Sequence, residues 1–592
     1  MSVQTPPLEK RVVEHLLDRL VDHGVTHLFL VPGAHIDPLV EALAAQTAIR
    51  PIVCATEAGA GFMADGYARV SGRCGVVAAI GGPGAANLIP SANICRLEQS
   101  RVLFLTGNVP QDARGAGAFQ DGYAEGARDA DLFATAAGES HSLRSPEEFS
   151  RTIDVLLERL RRGVGRPIHL SIPYDLQVKQ VRSAGGRLRA TDSADEVETD
   201  AIDSLPQLVR ELKALETRVV IVAGRGAGRS PNLPGLLQTF AERFQIPVAT
   251  TLDAKGVIPE SHSLSLGTFG FAGTELSYRV LCDEPLDAVL WFGCELNERN
   301  TLCWDSRLLH PARRHLHVDS CSGPAPHTSN ITHYEIPIET ALEGLLAVPK
   351  AELGSLAATI ADRSAQRQGL WNSAWMRAEP DGWSLESPIH PGQVVSAMRE
   401  RLPASTRLCV DAGAHRQFAS RYWRAESTDH FLTSASIASM GWAIAAGIGA
   451  KLADPSRPVA VFTGDGCMQM HGMELTTAVR YQIPVSFVVS NNSALGNVYV
   501  RQNSRSQAAA GLSRLGTVDW AGVARSCGAT GVNVRRLSEL SGALTAPETM
   551  TGPVVVDVTT QADAPFPGRH LVPTCCTLTN SELEPSRLRA AA

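Results

Sequence analysis

Two side chains with oxygen ligands, Asp465 and Asn492, each lie just beyond an apolar stretch of the sequence. A carboxylate, an amide oxygen and a nearby backbone carbonyl are hard ligands that suit Mg²⁺, which proteins commonly hold with few side chains plus phosphate oxygens and water. Gly464 and Gly466 flank the aspartate and would let the backbone approach a diphosphate. The pattern therefore predicts a metal-bridged diphosphate site. It is not a Walker loop, because the sequence contains neither GxxxxGKS nor GxxxxGKT.

These ligands need a scaffold that brings two strand ends together. The apolar runs 459–462 and 484–489 are typical of buried strands, and 472–481 between them has helical spacing. A crossover connection of this kind returns the second strand beside the first. We therefore expect Asp465 and Asn492 to meet at the carboxyl edge of a parallel sheet, where open α/β sheets bind their ligands.

Strand-like runs alternate with helical patterns in three regions of the chain, at 27–105, 218–320 and 406–558. Such alternation is typical of parallel sheets covered by helices on both faces. A chain of 592 residues is long enough for about three to four domains. We predict an α/β fold with three doubly wound parallel-sheet domains. The predicted units are an N-terminal domain at 1–185, a central domain at 186–350, a mostly helical connector at 351–385, a C-terminal domain at 386–565 and a tail at 566–592.

Two segments resemble the signatures of thiamine-diphosphate-dependent enzymes. One is the spacing from GDG at 464–466 to NN at 491–492, with MELTTAVRYQIPV between them. The other is EAGAGFMADGYARVSG, starting at Glu57, followed by GGPGAANL. The nearest groups are acetolactate synthase-like carboligases and benzaldehyde lyase-like enzymes. The resemblance implies that the first domain binds the aminopyrimidine of thiamine diphosphate and that the third binds its diphosphate with Mg²⁺.

The resemblance also implies roles for individual residues. In the family a glutamate at the position of Glu57 hydrogen-bonds the aminopyrimidine ring, whereas the simpler reading is an acidic residue favoured at a helix N-terminus. Met440 matches a large apolar residue that wedges beneath the cofactor, although a methionine is most often an ordinary core residue. The implied metal ligands are Asp465, Asn492 and the backbone of Ala494. The implied cofactor contacts are Glu57, Gly82, Pro83, Asn87, Ala438, Met440, Gly464, Asp465, Gly466 and Asn492.

Two further residues are candidates for acting on the substrate. His35, in PGAHIDPL, resembles a histidine that serves the substrate in benzaldehyde lyase. Gln120 follows Phe119, and this pair resembles the Phe-Gln of acetolactate synthases, where the glutamine lies near the reacting centre. A histidine after a glycine turn is often only a loop residue with satisfied hydrogen bonds, so the alternative for His35 is structural.

The central region carries a weak signal for a dinucleotide. Gly224, Gly226 and Gly228 form GxGxG after a predicted strand, without the full dinucleotide fingerprint. In some acetolactate synthases the corresponding domain carries FAD, and in many relatives it is structural. CELNERN, which follows Gly293, departs from the flavin-binding pattern. We therefore expect the central domain to have a structural role rather than to bind FAD.

Composition and charge narrow the possible partners. Lys and Arg number 54 against 61 Asp and Glu, and the net charge of −7 gives no electrostatic reason to expect nucleic acid or an anionic membrane. The N-terminus has no uninterrupted apolar segment typical of a secretory signal. The 12 cysteines are scattered without zinc spacing, as expected of reduced thiols. We expect a cytoplasmic protein acting on small molecules.

Taken with the resemblance, these features predict a thiamine-diphosphate-dependent carboligase. It would decarboxylate a 2-oxoacid, with pyruvate the foremost donor, and transfer the acyl unit to an aldehyde or ketone. The alternatives are benzaldehyde lyase-like C–C cleavage, simple decarboxylation and a non-catalytic cofactor-binding homologue. The resemblance further implies a homodimer or homotetramer, with Glu57 and Asp465 of one site supplied by different chains.

Overall fold

A computed structural model of the chain describes residues 9–123, 128–162, 166–182, 198–214, 218–320, 330–353, 383, 387–544 and 549–567. The predicted connector at 351–385 and the predicted tail at 566–592 lie mostly outside the described residues. The predicted domain boundaries therefore stay predictions.

The first region contains a six-stranded parallel sheet with the order β3-β2-β4-β5-β7-β6. A separate antiparallel pair joins β1 to β8. The strands are β1 Glu9–Arg11, β2 His27–Leu30, β3 Arg50–Val53, β4 Gly75–Ile80, β5 Val102–Asn108, β6 Ser140–Ser142, β7 Ile168–Pro173 and β8 Gln180–Arg182. The helices are Val12–Asp22, Asp37–Ala44, Glu57–Ser71, Pro83–Leu97, Asp129–Ala136, Pro146–Arg162 and Tyr174–Gln177, with 3-10 turns at Ala34–Ile36 and Gln111–Ala113.

The central region forms a second parallel sheet with the order β11-β10-β9-β12-β13-β14. Its strands are β9 Val219–Ala223, β10 Val248–Thr250, β11 Ser265–Thr268, β12 Ala288–Phe292, β13 Arg314–Asp319 and β14 Ile331–Glu335. Its helices are Glu198–Lys213, Leu233–Phe244, Glu275–Tyr278, a π-helical turn Arg279–Asp283 and Ile338–Ala347, with 3-10 turns at Arg225–Gly228, Leu252–Ala254 and Lys350–Leu353.

The third region forms a parallel sheet with the order β16-β15-β17-β18-β20-β19. Its strands are β15 Arg407–Val410, β16 Phe431–Thr433, β17 Val459–Gly464, β18 Ser486–Asn491, β19 Thr530–Val534 and β20 Val554–Thr559. Its helices are Pro391–Arg401, Ala414–Tyr422, Trp442–Ala453, Asp465–His471, Leu475–Arg480, Gly496–Asn503, Gln507–Gly511, Trp520–Ser526 and Leu537–Ala543, with a 3-10 turn at Gly472–Glu474.

The prediction of an α/β fold with three parallel-sheet domains is confirmed. The central strands of the sheets are buried along their whole length because helices cover both faces of each sheet. In β17, for example, every residue from Val459 to Gly464 is buried. None of the helices in the described ranges is long and apolar enough to cross a membrane.

Helices of the first and third regions pack closely against each other within one chain. A Cβ atom added at Gly66 would lie 2.1 Å from the backbone oxygen of Ala446, and one added at Gly449 would lie 2.0 Å from the backbone oxygen of Met63. Glycine at these positions therefore permits direct contact between the two helix backbones. This contact fixes the helix that begins at Glu57 relative to the third sheet.

One local prediction is wrong. The sequence pattern predicts a turn at GDG, whereas a helix begins directly at Asp465. The helix predicted at 472–481 does form, as the 3-10 turn Gly472–Glu474 followed by the helix Leu475–Arg480. Met473, expected on the buried side, is 54% exposed. An aspartate in the first helical turn is stabilised by the backbone N–H groups there, and this outweighs the low helix propensity of the adjacent glycine.

Candidate active site

The two predicted metal ligands meet at the carboxyl edge of the third sheet. β17 and β18 are parallel neighbours, with Gly464 paired to Ser490. The Ala494 N–H donates to Asp465 Oδ2 at 3.2 Å and to Asn492 Oδ1 at 3.0 Å. Because one N–H group serves both side chains, their oxygens converge on a single point beyond the strand ends.

A cavity of about 220 Å³ opens at this point. It lies where the sheet order reverses between β15 and β17, which is the position where open α/β sheets bind ligands. Seven of the predicted cofactor or metal residues line it: Ala438, Met440, Gly464, Asp465, Gly466, Asn492 and Ala494.

Among the described residues, the groups that act on the Asp465 carboxyl are backbone N–H groups and no cation. Asp465 is 4% exposed, and burial raises the pKa of its carboxyl group to about 6, although N–H groups of Gly466 and Ala494 oppose this shift. A bound cation would favour the ionised form. The described part of the chain contains no group of three or more His, Cys, Asp or Glu side chains that could hold a metal. A site with one carboxylate, one amide and a backbone carbonyl fits Mg²⁺ completed by phosphate oxygens and water.

His415 is a cavity residue that the sequence analysis missed. Its ring packs against Gly464 and Gly413. A Cβ atom added at Gly464 would lie 3.1 Å from the ring Nδ1, and one added at Gly413 would lie 2.5 Å from the ring Cε1. Its Nε2 is buried without a hydrogen-bond partner. Burial, with help from Arg416, lowers the pKa of His415 to about 3, so the ring is neutral and can donate one N–H to a phosphate oxygen.

The loop 434–440 brings Ala438 and Met440 to the same cavity. Ala438 has a φ of 56°, a conformation that costs energy for a residue with a side chain. The Met440 Cε lies 3.0 Å from where a Cβ atom of Gly466 would stand. Met440 is therefore half-buried beside the GDG turn, in a position that suits the predicted wedge.

The first-domain candidates form a second cluster. Thr56 caps the helix of Glu57, accepting a hydrogen bond from the Gly59 N–H at 3.0 Å. Asn87 Nδ2 donates to Glu57 Oε2 at 3.2 Å, and a Cβ atom at Gly84 would lie 3.5 Å from Glu57 Oε1. The Glu57 carboxylate thus lies next to the first turn of the Pro83–Leu97 helix.

Gly82, Pro83, Gln120 and His35 surround the same helix start. Gly82 has a φ of 65° and a Cβ atom there would lie 3.0 Å from the Gln120 backbone oxygen. The His35 backbone oxygen accepts from Gln177 Nε2 at 2.8 Å, and its Nδ1 is buried without a partner. Burial lowers the pKa of His35, and Asp121 opposes the shift. This interaction places His35 near the segment that carries Gln120.

Glu474 is another residue that sequence reasoning did not single out. It belongs to the third domain and is 1% exposed, yet it accepts hydrogen bonds from the first domain: Ala55 N–H at 3.1 Å, Thr56 N–H at 2.9 Å and Thr56 Oγ1 at 2.8 Å. Its carboxylate therefore holds the start of the Glu57 helix. The only sequence signal was its place in MELTTAVRYQIPV.

The cavity at Asp465 does not reach the described cluster around Glu57. The cavity at Asp465 is lined by Arg299 and by residues between 412 and 498, with none from the first domain. One half-site thus presents a carboxylate at Glu57, and the other presents a cation site at Asp465.

Comparison with known proteins places both half-sites in one family. Family models described as thiamine pyrophosphate enzyme domains match three parts of the chain: the N-terminal TPP-binding domain at 10–126, the central domain at 207–342 and the C-terminal TPP-binding domain at 411–558. A protein described as "Probable acetolactate synthase large subunit" from Methanocaldococcus jannaschii is 30% identical over 498 residues, which is 83% of this chain and 81% of that relative.

The chain belongs to the thiamine pyrophosphate enzyme family.

Other relatives place it in the same group. The acetolactate synthase large subunit of Lactococcus lactis is 28% identical over 489 residues, covering 83% of this chain and 82% of the relative. The large subunit of acetolactate synthase isozyme 1 from Escherichia coli is 26% identical over 506 residues, covering 83% of each. The protein is therefore a thiamine diphosphate-dependent enzyme of the acetolactate synthase type.

In this acetolactate synthase-like enzyme, Asp129 supports the turn at Gly82. Its carboxylate accepts from the Gly82 N–H at 3.1 Å and from Asn108 Nδ2 at 3.1 Å. Burial raises the pKa of Asp129 from 3.8 to about 7, against the opposing effect of the Gly82 N–H. Between these two values the folded state binds more protons than the unfolded state. Because of Asp129, the free energy of unfolding should therefore fall as the pH rises from about 4 to about 7.

We expect the Asp129→Asn variant to lose part of this pH dependence. Between about pH 4 and pH 7 the group can contribute up to about 1.4 kcal/mol per pH unit. Thermal unfolding midpoints of wild type and variant, measured across this range, test the expectation. Asp131→Asn is the control, because Asp131 lies on the same helix with its side chain 71% exposed. If the unfolding midpoints of the wild type and of Asp129→Asn changed with pH in the same way, the expectation would be wrong.

Proposed function

We propose that the protein is a thiamine diphosphate- and Mg²⁺-dependent carboligase that decarboxylates a 2-oxoacid and transfers its acyl unit to an aldehyde or ketone. Pyruvate is the foremost donor. The observation that carries the proposal is the convergence of Asp465 and Asn492 on the Ala494 N–H at the edge of a ligand cavity. The similarity to acetolactate synthase large subunits supports the reaction class.

In this proposal the third domain holds the charged end of the cofactor. Asp465, Asn492 and the backbone oxygen of Ala494 would bind Mg²⁺, and the neutral His415 would donate to a phosphate oxygen. Gly464 and Gly466 line the cavity without side chains, and His415 and Met440 pack beside them. When bound, thiamine diphosphate supplies a carbanion at its thiazolium ring and an electron sink for decarboxylation.

The first domain would bind the other end. The Glu57 carboxylate would share a proton with a ring nitrogen of the aminopyrimidine. Asn87 orients Glu57 through its amide, and Thr56 and Glu474 fix the start of the helix. A carboxylate held in this way can take up and return a proton at one defined atom.

His35 and Gln120 would act on the substrate. Both lie in turns beyond strand ends of the first sheet, near the Gly82 turn. The buried Nδ1 of His35 has no partner and is available to a substrate oxygen. This histidine is also the observation that favours the second candidate function, benzaldehyde lyase-like cleavage of a C–C bond next to a carbonyl.

Product analysis distinguishes these functions. The protein would be incubated with thiamine diphosphate, Mg²⁺ and a panel of 2-oxoacids and aldehydes, and products would be identified by mass spectrometry. Formation of a 2-hydroxyketone with release of CO₂ supports the carboligase. Aldehyde formation from benzoin-type substrates supports the lyase, and an aldehyde as the sole product of a 2-oxoacid supports a decarboxylase. If the protein bound the cofactor but turned over none of the substrates, the result would support a non-catalytic homologue.

We expect His35→Ala and Gln120→Ala to lower turnover while sparing cofactor affinity, because in this proposal both residues act on the substrate and not on the cofactor. General acid–base groups contribute about 10²–10⁴-fold, so kcat should fall by about 100-fold or more for a residue that moves a proton. Calorimetric titration with thiamine diphosphate and Mg²⁺ gives the affinity. Gln238→Ala, in a helix of the central domain, is the control. Loss of cofactor binding equal to the loss of rate would overturn the assignment.

A further inference from the structure

The central sheet has the crevice in which α/β domains commonly bind a dinucleotide. Its strand order reverses between β9 and β12, and ligands of open sheets bind beyond the carboxyl ends at such a point. The turn after β9 carries the GxGxG pattern at 224–228, and the turn after β12 begins at Gly293. We name the space between these two turns the central crevice. A dinucleotide such as FAD, if this domain held one, would bind here.

The two turns are in direct backbone contact, so the glycines serve packing. A Cβ atom added at Gly224 would lie 2.3 Å from the Cα of Cys294, and one added at Gly226 would lie 2.6 Å from the Cα of Gly293. A diphosphate bound by such a motif needs free N–H groups facing an open space. The Gly226 N–H instead donates to the Gly293 backbone oxygen at 2.9 Å.

The side chain of Arg225 lies at the central crevice, with 13% of its surface exposed. Its guanidinium is surrounded by three carboxylates: Glu98 Oε2 lies 2.7 Å from Nη1, Asp253 Oδ2 lies 3.7 Å from Nε, and Glu295 is hydrogen-bonded to Nη2. These carboxylates engage the guanidinium of Arg225, so it is not free to bind a diphosphate. Because the Gly226 N–H is also occupied, the residues present do not fit FAD.

Glu98 connects this crevice to the cofactor loop of the third domain. It comes from the first domain, and its side chain is 0% exposed. Its Oε1 accepts from the Ser436 N–H at 2.8 Å, and Ser436 lies in the loop 434–440 that carries Ala438 and Met440. Arg69 of the first domain lies 3.8 Å from Glu98 Oε2 and donates to the Thr433 backbone oxygen at 3.0 Å, just before this loop.

The charge state of Glu98 agrees with this arrangement. Burial would raise the pKa of its carboxyl group, but Arg225 and Arg69 outweigh burial and hold the pKa below its ordinary value. Glu98 is thus an ionised acid that all three domains surround. Removing one partner of such a buried pair leaves an uncompensated charge, which destabilises the local arrangement strongly.

We propose that Arg225 and Glu98 are positioning residues that close the central crevice to dinucleotides and fix the loop 434–440 against the cofactor. The inference rests on the proposed function, since it takes Ala438 and Met440 to contact thiamine diphosphate. In this inference, Arg225 of the central domain helps to position the loop 434–440 of the third domain. A shift of about 1 Å in a positioning group can cost about 100-fold in rate.

The first test replaces the arginine and keeps the rest of the crevice. Arg225→Met should lower kcat by about 10- to 100-fold. It should change the near-ultraviolet circular dichroism of bound thiamine diphosphate, which reports the surroundings of the aminopyrimidine. Arg225→Lys, which retains the positive charge, should recover most of the rate. Arg307→Met is the matched control, because it removes an ion pair to Asp305 at an arginine of the same domain that is 52% exposed.

Glu98→Gln is a second variant in case Arg225→Met does not fold. It keeps an oxygen for the Ser436 N–H and removes the charge that pairs with Arg225. It should show the same fall in kcat and the same change in circular dichroism. Thermal midpoints of all variants separate a general loss of stability from a shift of the loop, because a purely structural role would lower the midpoint without changing the dichroism of the bound cofactor.

The second test measures FAD binding by calorimetry with the wild-type protein. We expect no binding, and stoichiometric FAD binding would overturn the inference. Wild-type kinetics in Arg225→Met and Glu98→Gln, with cofactor still bound, would also overturn it. If the wild type itself binds no thiamine diphosphate, the proposed function fails instead. The two failures are therefore distinguishable.

Discussion

Replacing Asp465 by alanine should abolish thiamine diphosphate binding while the fold stays intact. The carboxylate is the one charged group among the proposed Mg²⁺ ligands, and it is 4% exposed at the edge of the cavity. Loss of a residue that merely orients a metal ligand costs about 10–100-fold in affinity, so removal of the ligand itself should cost more than about 100-fold. Calorimetric titration with thiamine diphosphate and Mg²⁺ measures this loss.

The fold should tolerate the change because no cation among the described residues acts on the carboxylate. Removing an uncompensated buried charge should leave the metal-free protein at least as stable, and thermal unfolding can show this. Asp465→Asn keeps an acceptor for the Ala494 N–H and separates charge from shape. Asp519→Ala is the control, since Asp519 lies in the same domain with its side chain 56% exposed. Unchanged cofactor affinity in Asp465→Ala would reject the metal site.

The sequence allowed much of the third domain to be predicted because its strands are buried on both faces. Runs such as 459–462 must be apolar throughout, and the residues that follow them must lie at one sheet edge. Asp465 and Asn492 could therefore be placed together before any coordinates. The roles of these residues remain predictions, as do the domain boundaries.

Contacts across domain boundaries could not be predicted in this way. Glu474 holds the start of the Glu57 helix, and Glu98 binds Ser436, although hundreds of positions separate the partners in each pair. No periodicity encodes such pairs, because they depend on how separately patterned domains dock. His415 was missed for a related reason: only the coordinates show that its Nε2 is buried without a partner.

Glycine patterns misled the sequence analysis in one place and were ambiguous in another. At GDG the glycines indicated a turn, whereas a helix begins there. At 224–228 they resembled a dinucleotide motif, whereas Gly224 and Gly226 allow two turns to touch. A glycine allows another group to approach the backbone closely, and the sequence does not show whether that group is a phosphate or another stretch of backbone.

We propose that a second chain completes each site. Phe119, next to Gln120, is 83% exposed, and Ile437, next to Ala438, is 48% exposed. Single exposed apolar side chains are common on protein surfaces, so the cofactor carries the proposal. Its ring would bind at Glu57 and its diphosphate at Asp465, which requires the two half-sites to face each other. The family resemblance implies that they do so across a twofold axis.

Mixing two inactive variants should therefore restore activity. Glu57→Gln removes the carboxylate from one half-site, and Asp465→Ala removes the metal ligand from the other. In a mixed dimer one shared site carries both lesions and the second carries neither, as expected of an isologous twofold arrangement. Random exchange of equal amounts makes about half of the dimers mixed, so about a quarter of the wild-type activity should return.

The control for this experiment is a mixture in which subunits cannot exchange, such as variants crosslinked before mixing, and it should stay inactive. Subunit exchange itself can be followed by native mass spectrometry with one isotope-labelled variant. If Glu57 and Asp465 of a site belonged to one chain, every site in a mixed dimer would keep one lesion. Proven exchange without returning activity would thus place both residues in the same chain, and the close packing of the Glu57 helix on Trp442–Ala453 would then be the contact that joins the half-sites.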